Sequence, residues 1–265
     1  MATISARRKT TSGRFYDIVP DESYISITNA EESISKPALI GWAAKVEREA
    51  CIEAAVALHS DWENLSVSGA DAYRQVLIER IGKQKASQRE LEAAAEIGTA
   101  THALIEWWAR GQIGLTVGKR PEVSDQSEWG FMAFEDWAKQ HEFKPIRSEM
   151  VVYSHVHKIA GTLDLLGYVD GKLKLVDIKT GKAIYAEARL QCAAYYTCLR
   201  EMGEECWNSA IVLRLPKIVS DPEFEPVDVD NLDYHFQAFL HAKELRLWQI
   251  AMDQEYRDKI KGEKL

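Results

Sequence analysis

Three ionisable residues stand where a buried sheet wants aliphatic ones. In "GTLDLLGYVDGKLKLVDIKT", residues 161–180, Asp164 lies in one apolar run and Asp177 and Lys179 in the next. Asp170-Gly171 between the runs predicts a two-residue hairpin turn, because the favoured turn needs positive φ at both central positions. In that register Val169 faces Lys172 and paired positions sum to 341, so Asp164 falls opposite Asp177. Their Cβ atoms are then about 4.5–5.5 Å apart. Side chains alternate along a strand, so Lys179 shares the face of Asp177. Leu166 and Tyr168 belong to that face, opposite Leu175 and Leu173, while Leu163, Leu165, Val176 and Ile178 take the other.

Two carboxylates at that separation repel and shift each other's pKa. Sharing a proton relieves the repulsion, as does sharing a cation or forming a self-contained ion cluster with Lys179. Buried ion pairs stabilise weakly, and a divalent cation suits two oxygen-rich acids better than one ammonium. The preceding strand, "SEMVVYS", adds a third acid. A loop centred on Val156-His157 makes its pairs sum to 313 and sets Glu149 beside Asp164. A solvated acid at a strand end is the other reading of Glu149. His102 and Glu106 are spaced i, i+4, as are Gln191 and Tyr195, so each pair shares a helical face. Neither pair is diagnostic alone.

The elements that position these residues change character along the chain. Period-3.6 patterns predict helices over 36–60, 69–82, 88–110 and 126–140, with Gly98 marking a kink or a close approach in the third. Period-2 patterns then predict strands over 148–154, 160–169 and 172–180. A helix follows over about 183–202, then a strand over 209–215, an extended piece over 224–229 and a closing helix over about 233–256. The order implies an α/β or α+β fold with a central mixed sheet flanked by helices, plus an N-terminal helical region. One domain is expected over 21–265, its helical part about 36–141, its sheet core about 145–230 and its last helix about 233–258. Residues 1–20 carry Arg7, Arg8, Lys9 and Arg14 and read as a flexible basic arm; an arm that contacts phosphates and a transit peptide are the lesser readings.

Composition excludes some roles. With 46% hydrophobic and 28% charged residues among 265, the chain is expected to fold. The net charge of −8 argues against a surface coated for nucleic acid, though not against a local basic groove. No apolar run approaches the roughly 20 residues of a bilayer span, and no signal-peptide core opens the sequence. Cys51, Cys192, Cys198 and Cys206 are then expected as free thiols in a reducing compartment. Eight tryptophans, Trp107 and Trp108 among them, are expected mostly in packing rather than base stacking.

"GTATHALIE", "SEMVV", "AGTLDLL", "LVDIKTGK" and "LQCAAYY" together resemble the PD-(D/E)XK nuclease superfamily, in its RecB-like and lambda-exonuclease-like (phage-type) branch. The likeness covers about residues 98–215, and more loosely "SYISITNAEESISKPALIGWA". Its spacing is specific: G-x-x-D, then D-x-K thirteen residues on, then Q-x-x-x-Y twelve beyond the lysine. The resemblance implies a restriction-endonuclease-like core and a Mg²⁺- or Mn²⁺-dependent deoxyribonuclease. Asp164, Asp177 and Lys179 would be catalytic; His102, Asp164, Asp177, the Ile178 carbonyl and, less firmly, Glu149 would hold one or two ions. Gln191 and Tyr195 would orient the site and touch DNA, with Thr180 and Lys182 meeting an adjacent phosphate. An exonuclease of phage or bacterial recombination, repair or processing is the leading expectation. A single-strand or structure-specific endonuclease of the same fold, or a silent DNA- or partner-binding module, is the alternative. Linear DNA is the expected partner, in the cytoplasm of a bacterium or phage-infected host, with a homo-oligomer or recombination partner compatible. Some RecB-like relatives hold an iron–sulfur cluster through one early and three late cysteines. Here the spacing 192–198–206 lacks the tight C-x-x-C of such sites, so no cluster is expected. No Walker motif is present, so no helicase fusion is expected.

Overall fold

The computed structural model describes residues 6–19, 22–59, 69–218, 220–221 and 223–262. Within them the order is β1 (Ala6–Thr10), β2 (Gly13–Val19), β3 (Glu22–Ser26), α1 (Ile27–Ala30), α2 (Pro37–Ala57), α3 (Ala70–Ile81), α4 (Ala86–Gln112) and α5 (Asp125–Gln140). It continues through β4 (Lys144–Ser154), β5 (Ile159–Val169), β6 (Lys172–Lys179), α6 (Glu187–Glu201), β7 (Ser209–Arg214), β8 (Glu225–Asp230) and α7 (Leu232–Gly262). By compactness the chain divides into two units, Ser35–Glu96 and Met1–Ile34 with Ile97–Leu265. Among the described residues no helix is long and apolar enough to cross a membrane.

In the smaller unit Pro37 opens α2 at a first-turn position, where its missing N–H costs nothing. Glu47 accepts from the backbone N–H groups of Ala86 and Ser87 and from the Ser87 hydroxyl, capping the start of α4.

The larger unit is built on one mixed sheet. β4, β5 and β6 form an antiparallel meander, β7 joins β6 in parallel, and β8 closes that edge antiparallel. The Asp-Gly turn forms as its residues require, with φ of 48° at Asp170 and 77° at Gly171. Pairing then follows the expected register from Val169↔Lys172 to Leu165↔Val176. The β4–β5 pairs Ser148↔Leu165 and Met150↔Leu163 likewise obey the sum of 313.

Helices cover both faces. On one side Leu163, Leu166, Leu175 and Val212 pack with Cys192, Ala193 and Leu199 of α6 and Phe236 and Phe239 of α7. On the other, Leu165, Val176, Ile178 and Leu213 pack with Leu104 and Ile105 of α4 and Phe131, Phe134 and Trp137 of α5. Leu163 and Leu165 therefore lie in different cores, not on one face as strict alternation predicts. The break falls at Asp164, where regular pairing with β6 stops.

The basic arm expected over 1–20 is ordered sheet wherever it is described. β1 and β2 pair as a hairpin, β2 pairs with β3, and β3 adds in parallel to the start of β5 through Ile25 and Ser26. Tyr16, Ile18 and Tyr24 bury themselves against Ala160, Val151 and Tyr153, and this burial holds a charged sequence in strand form. Gly13, at φ 107°, turns the hairpin where a Cβ would strike the Asn29 amide at 2.4 Å.

Candidate active site

β4 pairs with one edge of β5 from Ile159 to Tyr168, save at Asp164. The opposite edge is shared: β3 takes Ile159 and Ala160, and β6 takes Leu165 to Val169. Between them β5 and β6 part. The Asp164 carboxylate enters the gap, and its Oδ2 accepts the Ile178 N–H at 2.7 Å. A side chain thus replaces a backbone acceptor and is fixed as firmly as a ladder bond.

Two other elements bring side chains to the same carboxylate. His102 on α4 sets Nδ1 3.5 Å from Asp164 Oδ1. One turn earlier, Gly98 faces Thr180, whose hydroxyl would lie 2.8 Å from any added Cβ. The bare glycine lets α4 approach the end of β6 closely, which brings His102 within reach. Glu149 on β4 lies across from Asp164, and ligand atoms of His102, Glu149 and Asp164 all fall within 4.8 Å of one another. Glu149 takes φ 48°, uncommon for a residue with a side chain. Such strain is characteristic of functional positions.

The second half of the site is a chain of contacts. Lys179 Nζ is 2.7 Å from Asp177 Oδ2 and donates to Gln191 Oε1 at 2.8 Å. Gln191 Nε2 in turn donates to Tyr195 Oη at 3.0 Å. Tyr195 is buried against Gly161, where an added Cβ would come within 2.6 Å of its ring. Gly161 is the glycine of the G-x-x-D motif: the spacing marks its place, and the contact with Tyr195 gives its use.

Electrostatics separate the two aspartates. Burial raises both, but the charges of His102 and Lys179 and the Ile178 N–H hold Asp164 below its ordinary value. Asp177 lacks the amide contact and feels the His102 charge least of its neighbours. Burial, with Lys179 opposing and the Asp164 charge adding, pushes it up to about 6. Burial and the Asp164 charge raise Glu149 to about 7. His102 is raised, because the Asp164 charge overrides a burial that would lower it. Lys179 is raised despite burial, by Asp177 and then Asp164.

A divalent cation fits this arrangement. Asp177 is 1% exposed, and its Oδ2 makes no hydrogen bond of ordinary geometry, with the Lys179 ammonium 2.7 Å away as its ion-pair partner. A buried carboxylate oxygen left in that state asks for a further positive partner. Carboxylate oxygens with one imidazole suit Mg²⁺ and make Mn²⁺ acceptable. The triple His102, Glu149, Asp164 does not include Asp177, which is tied to Lys179. Glu106 shares the His102 side of α4 and binds Arg110. Thr180 is half-buried against Gly98, and Lys182 is exposed in the turn after β6. Cys192 and Cys198 are buried in α6, where burial raises both thiols.

A family model described as the PD-(D/E)XK nuclease superfamily matches residues 127–260. The chain belongs to this superfamily. The matched stretch holds Glu149, Asp164, Asp177, Lys179, Gln191 and Tyr195; His102 precedes it. Among solved structures, an alkaline exonuclease (LHK-Exo) from Laribacter hongkongensis is similar at TM-score 0.38 and 10% identity, over 63% of this chain and 100% of that one. LHK-Exo in complex with dAMP is similar at TM-score 0.38 and 10% identity, over 64% and 99%. No curated protein sequence matches the chain. Members of a PD-(D/E)XK nuclease superfamily work with divalent metals, and the donors just described are of the kind such ions take.

Proposed function

We propose that the chain is a Mg²⁺- or Mn²⁺-dependent deoxyribonuclease that hydrolyses phosphodiester bonds, acting as an exonuclease in phage or bacterial DNA processing. The observation that carries this reading is the parted β5–β6 hairpin, with Asp164 locked by the Ile178 N–H and Asp177 buried with Lys179 as its ion-pair partner. In this reading His102, Glu149 and Asp164, with Asp177 and the Ile178 carbonyl, hold the ion. A bound divalent cation supplies charge neutralisation at the phosphoryl oxygens and a more acidic water.

The chain's own groups do the rest. Lys179 keeps its proton, because two aspartates face it. Its ammonium orients the attacking water and stabilises negative charge growing on the phosphoryl oxygens. Gln191 holds that ammonium in place, and buried Tyr195 holds Gln191. Thr180 and Lys182, at the end of β6, meet a neighbouring phosphate. Water oxygen bonds to phosphorus, the bond to the leaving sugar oxygen breaks, and the water proton ends on solvent or that oxygen. The exonuclease mode follows from the sequence likeness to phage-type enzymes.

The test incubates the protein with linear duplex, single-stranded and circular DNA in Mg²⁺, Mn²⁺ or EDTA, beside Asp177→Ala and Lys179→Ala. Metal-dependent loss of linear DNA by wild type alone is the expected result. Intact substrates in every metal sink the nuclease reading, and cutting of circles replaces exonuclease with endonuclease.

A further inference from the structure

The acids of the site repel the phosphates they are to cut, and the whole chain carries −8. Something local must hold the substrate strand, and the β1–β2 hairpin has the charge and the position. Its cross-strand pairs Arg7↔Tyr16 and Lys9↔Arg14 put four side chains on one face, by the two-residue alternation of strands. Tyr16 fixes where that face looks. Its hydroxyl hydrogen-bonds to Thr162 Oγ1 at 3.1 Å, two residues before Asp164 on β5. Val151 and Tyr153 of β4 pack against the buried cluster that contains Tyr16, and Glu149 stands two residues before Val151 on that strand. Arg7 beside Tyr16 therefore looks onto the side of the sheet that carries Glu149, and its positive charge acts on that carboxylate.

The other face differs in kind. Arg8 donates to the Ser23 hydroxyl and pairs with Asp17, so its charge is spent within the hairpin. Among the described residues Arg7, Lys9 and Arg14 have no carboxylate at ion-pair distance, and Arg7 and Lys9 are exposed. The hairpin is also braced. Arg246 of α7 and the Asn29 amide both donate to the Ser12 carbonyl at its tip, and Arg257 reaches the Thr11 hydroxyl. A basic strip on a fixed strand pair, with Arg7 near enough for its charge to act on Glu149, is an electrostatic track and not a loose tail.

We propose that the Arg7, Lys9 and Arg14 face of the β1–β2 hairpin grips the sugar–phosphate backbone of the DNA strand that enters the site. This rests on the deoxyribonuclease reading above and names the surface by which that substrate is held. Contacts of this kind are made to phosphates, so they carry no sequence preference and weaken steeply with salt.

The test measures anisotropy of a labelled oligonucleotide with the full chain in EDTA across a NaCl series, so that binding is read without cleavage. Arg7→Ala/Lys9→Ala/Arg14→Ala is expected to weaken binding about 10- to 100-fold at low salt and to reduce the log–log salt slope by roughly 2–3, near 0.7–0.9 per lost contact. Arg8→Ala is expected to bind as wild type does. If the triple variant fails to fold by circular dichroism, Arg7→Gln alone, at an exposed position, should lower the slope by roughly 0.7–0.9. Wild-type affinity and slope in a folded Arg7 variant overturn the proposal. Cleavage by wild type in Mn²⁺, measured in parallel, keeps the two readings apart: DNA bound through the strip but never cut refutes the nuclease and leaves the track.

Discussion

Lys179 is held from two sides, by Asp177 at 2.7 Å and Gln191 at 2.8 Å, and neither contact alone fixes where its charge points. Gln191→Ala keeps the ion pair and frees the ammonium to swing. A misplacement on the order of 1 Å costs roughly 10²-fold in rate, so kcat for DNA cleavage is expected to fall by about that factor with KM little changed, and by less than in Lys179→Ala. Steady-state kinetics on linear duplex would read both. Glu149, held up to about 7, makes a second prediction. Its folded pKa lies above that of the unfolded chain, so the stability it lends in the metal-free protein is full below the unfolded value of about 4.3 and lost as pH rises through about 7. A cation binds the ionised form, so the rise in Tm on adding Mn²⁺ should be larger at pH 8 than at pH 5.5. Thermal scans in Mn²⁺ and EDTA test this, and Glu149→Gln should flatten the difference. The acids and the lysine were legible from their types and spacing. Gly161 was legible as a motif position but its use was not, because a glycine's use is a contact that some other residue makes.

At the scale of elements, the parting of β5 from β6 makes the site, and one side chain maintains it. Asp164→Asn keeps an acceptor for the Ile178 N–H and loses the charge, so it should fold near wild-type stability while losing metal-induced stabilisation. Asp164→Ala strands that buried N–H and is expected to cost about 1–3 kcal/mol, read by urea unfolding. Gly161→Ala would drive a methyl into the Tyr195 ring. Overpacking of that kind costs about 1–3 kcal/mol, and it should also lower activity through the Tyr195–Gln191–Lys179 chain. The hairpin's register could be computed by hand because a two-residue turn ties both strands to one sum. The break in face alternation at Asp164 could not, since alternation assumes that pairing continues.

For the whole molecule, α7 is a brace as well as a cover. Arg246 binds the Asn29 side chain, the Ser12 carbonyl and Glu32, joining the last helix to the N-terminal hairpin. Arg246→Ala should raise amide exchange across 6–19 while leaving β4–β7 protected, and should weaken DNA binding in proportion to the track's loosening; exchange mass spectrometry checks the first. The family, the strand–turn–strand that bears Asp164 and Asp177, and the lysine one pleat on are determined by the sequence itself, because turn chemistry and period-2 patterning act between near neighbours. The tertiary structure decided the rest. Only packing could bring His102 to Asp164 from another element, pair Gly98 with Thr180, split the chain at Ser35–Glu96, and turn Ala6–Val19 from an expected arm into sheet. Those outcomes depend on contacts between residues far apart in the chain, which local pattern does not encode.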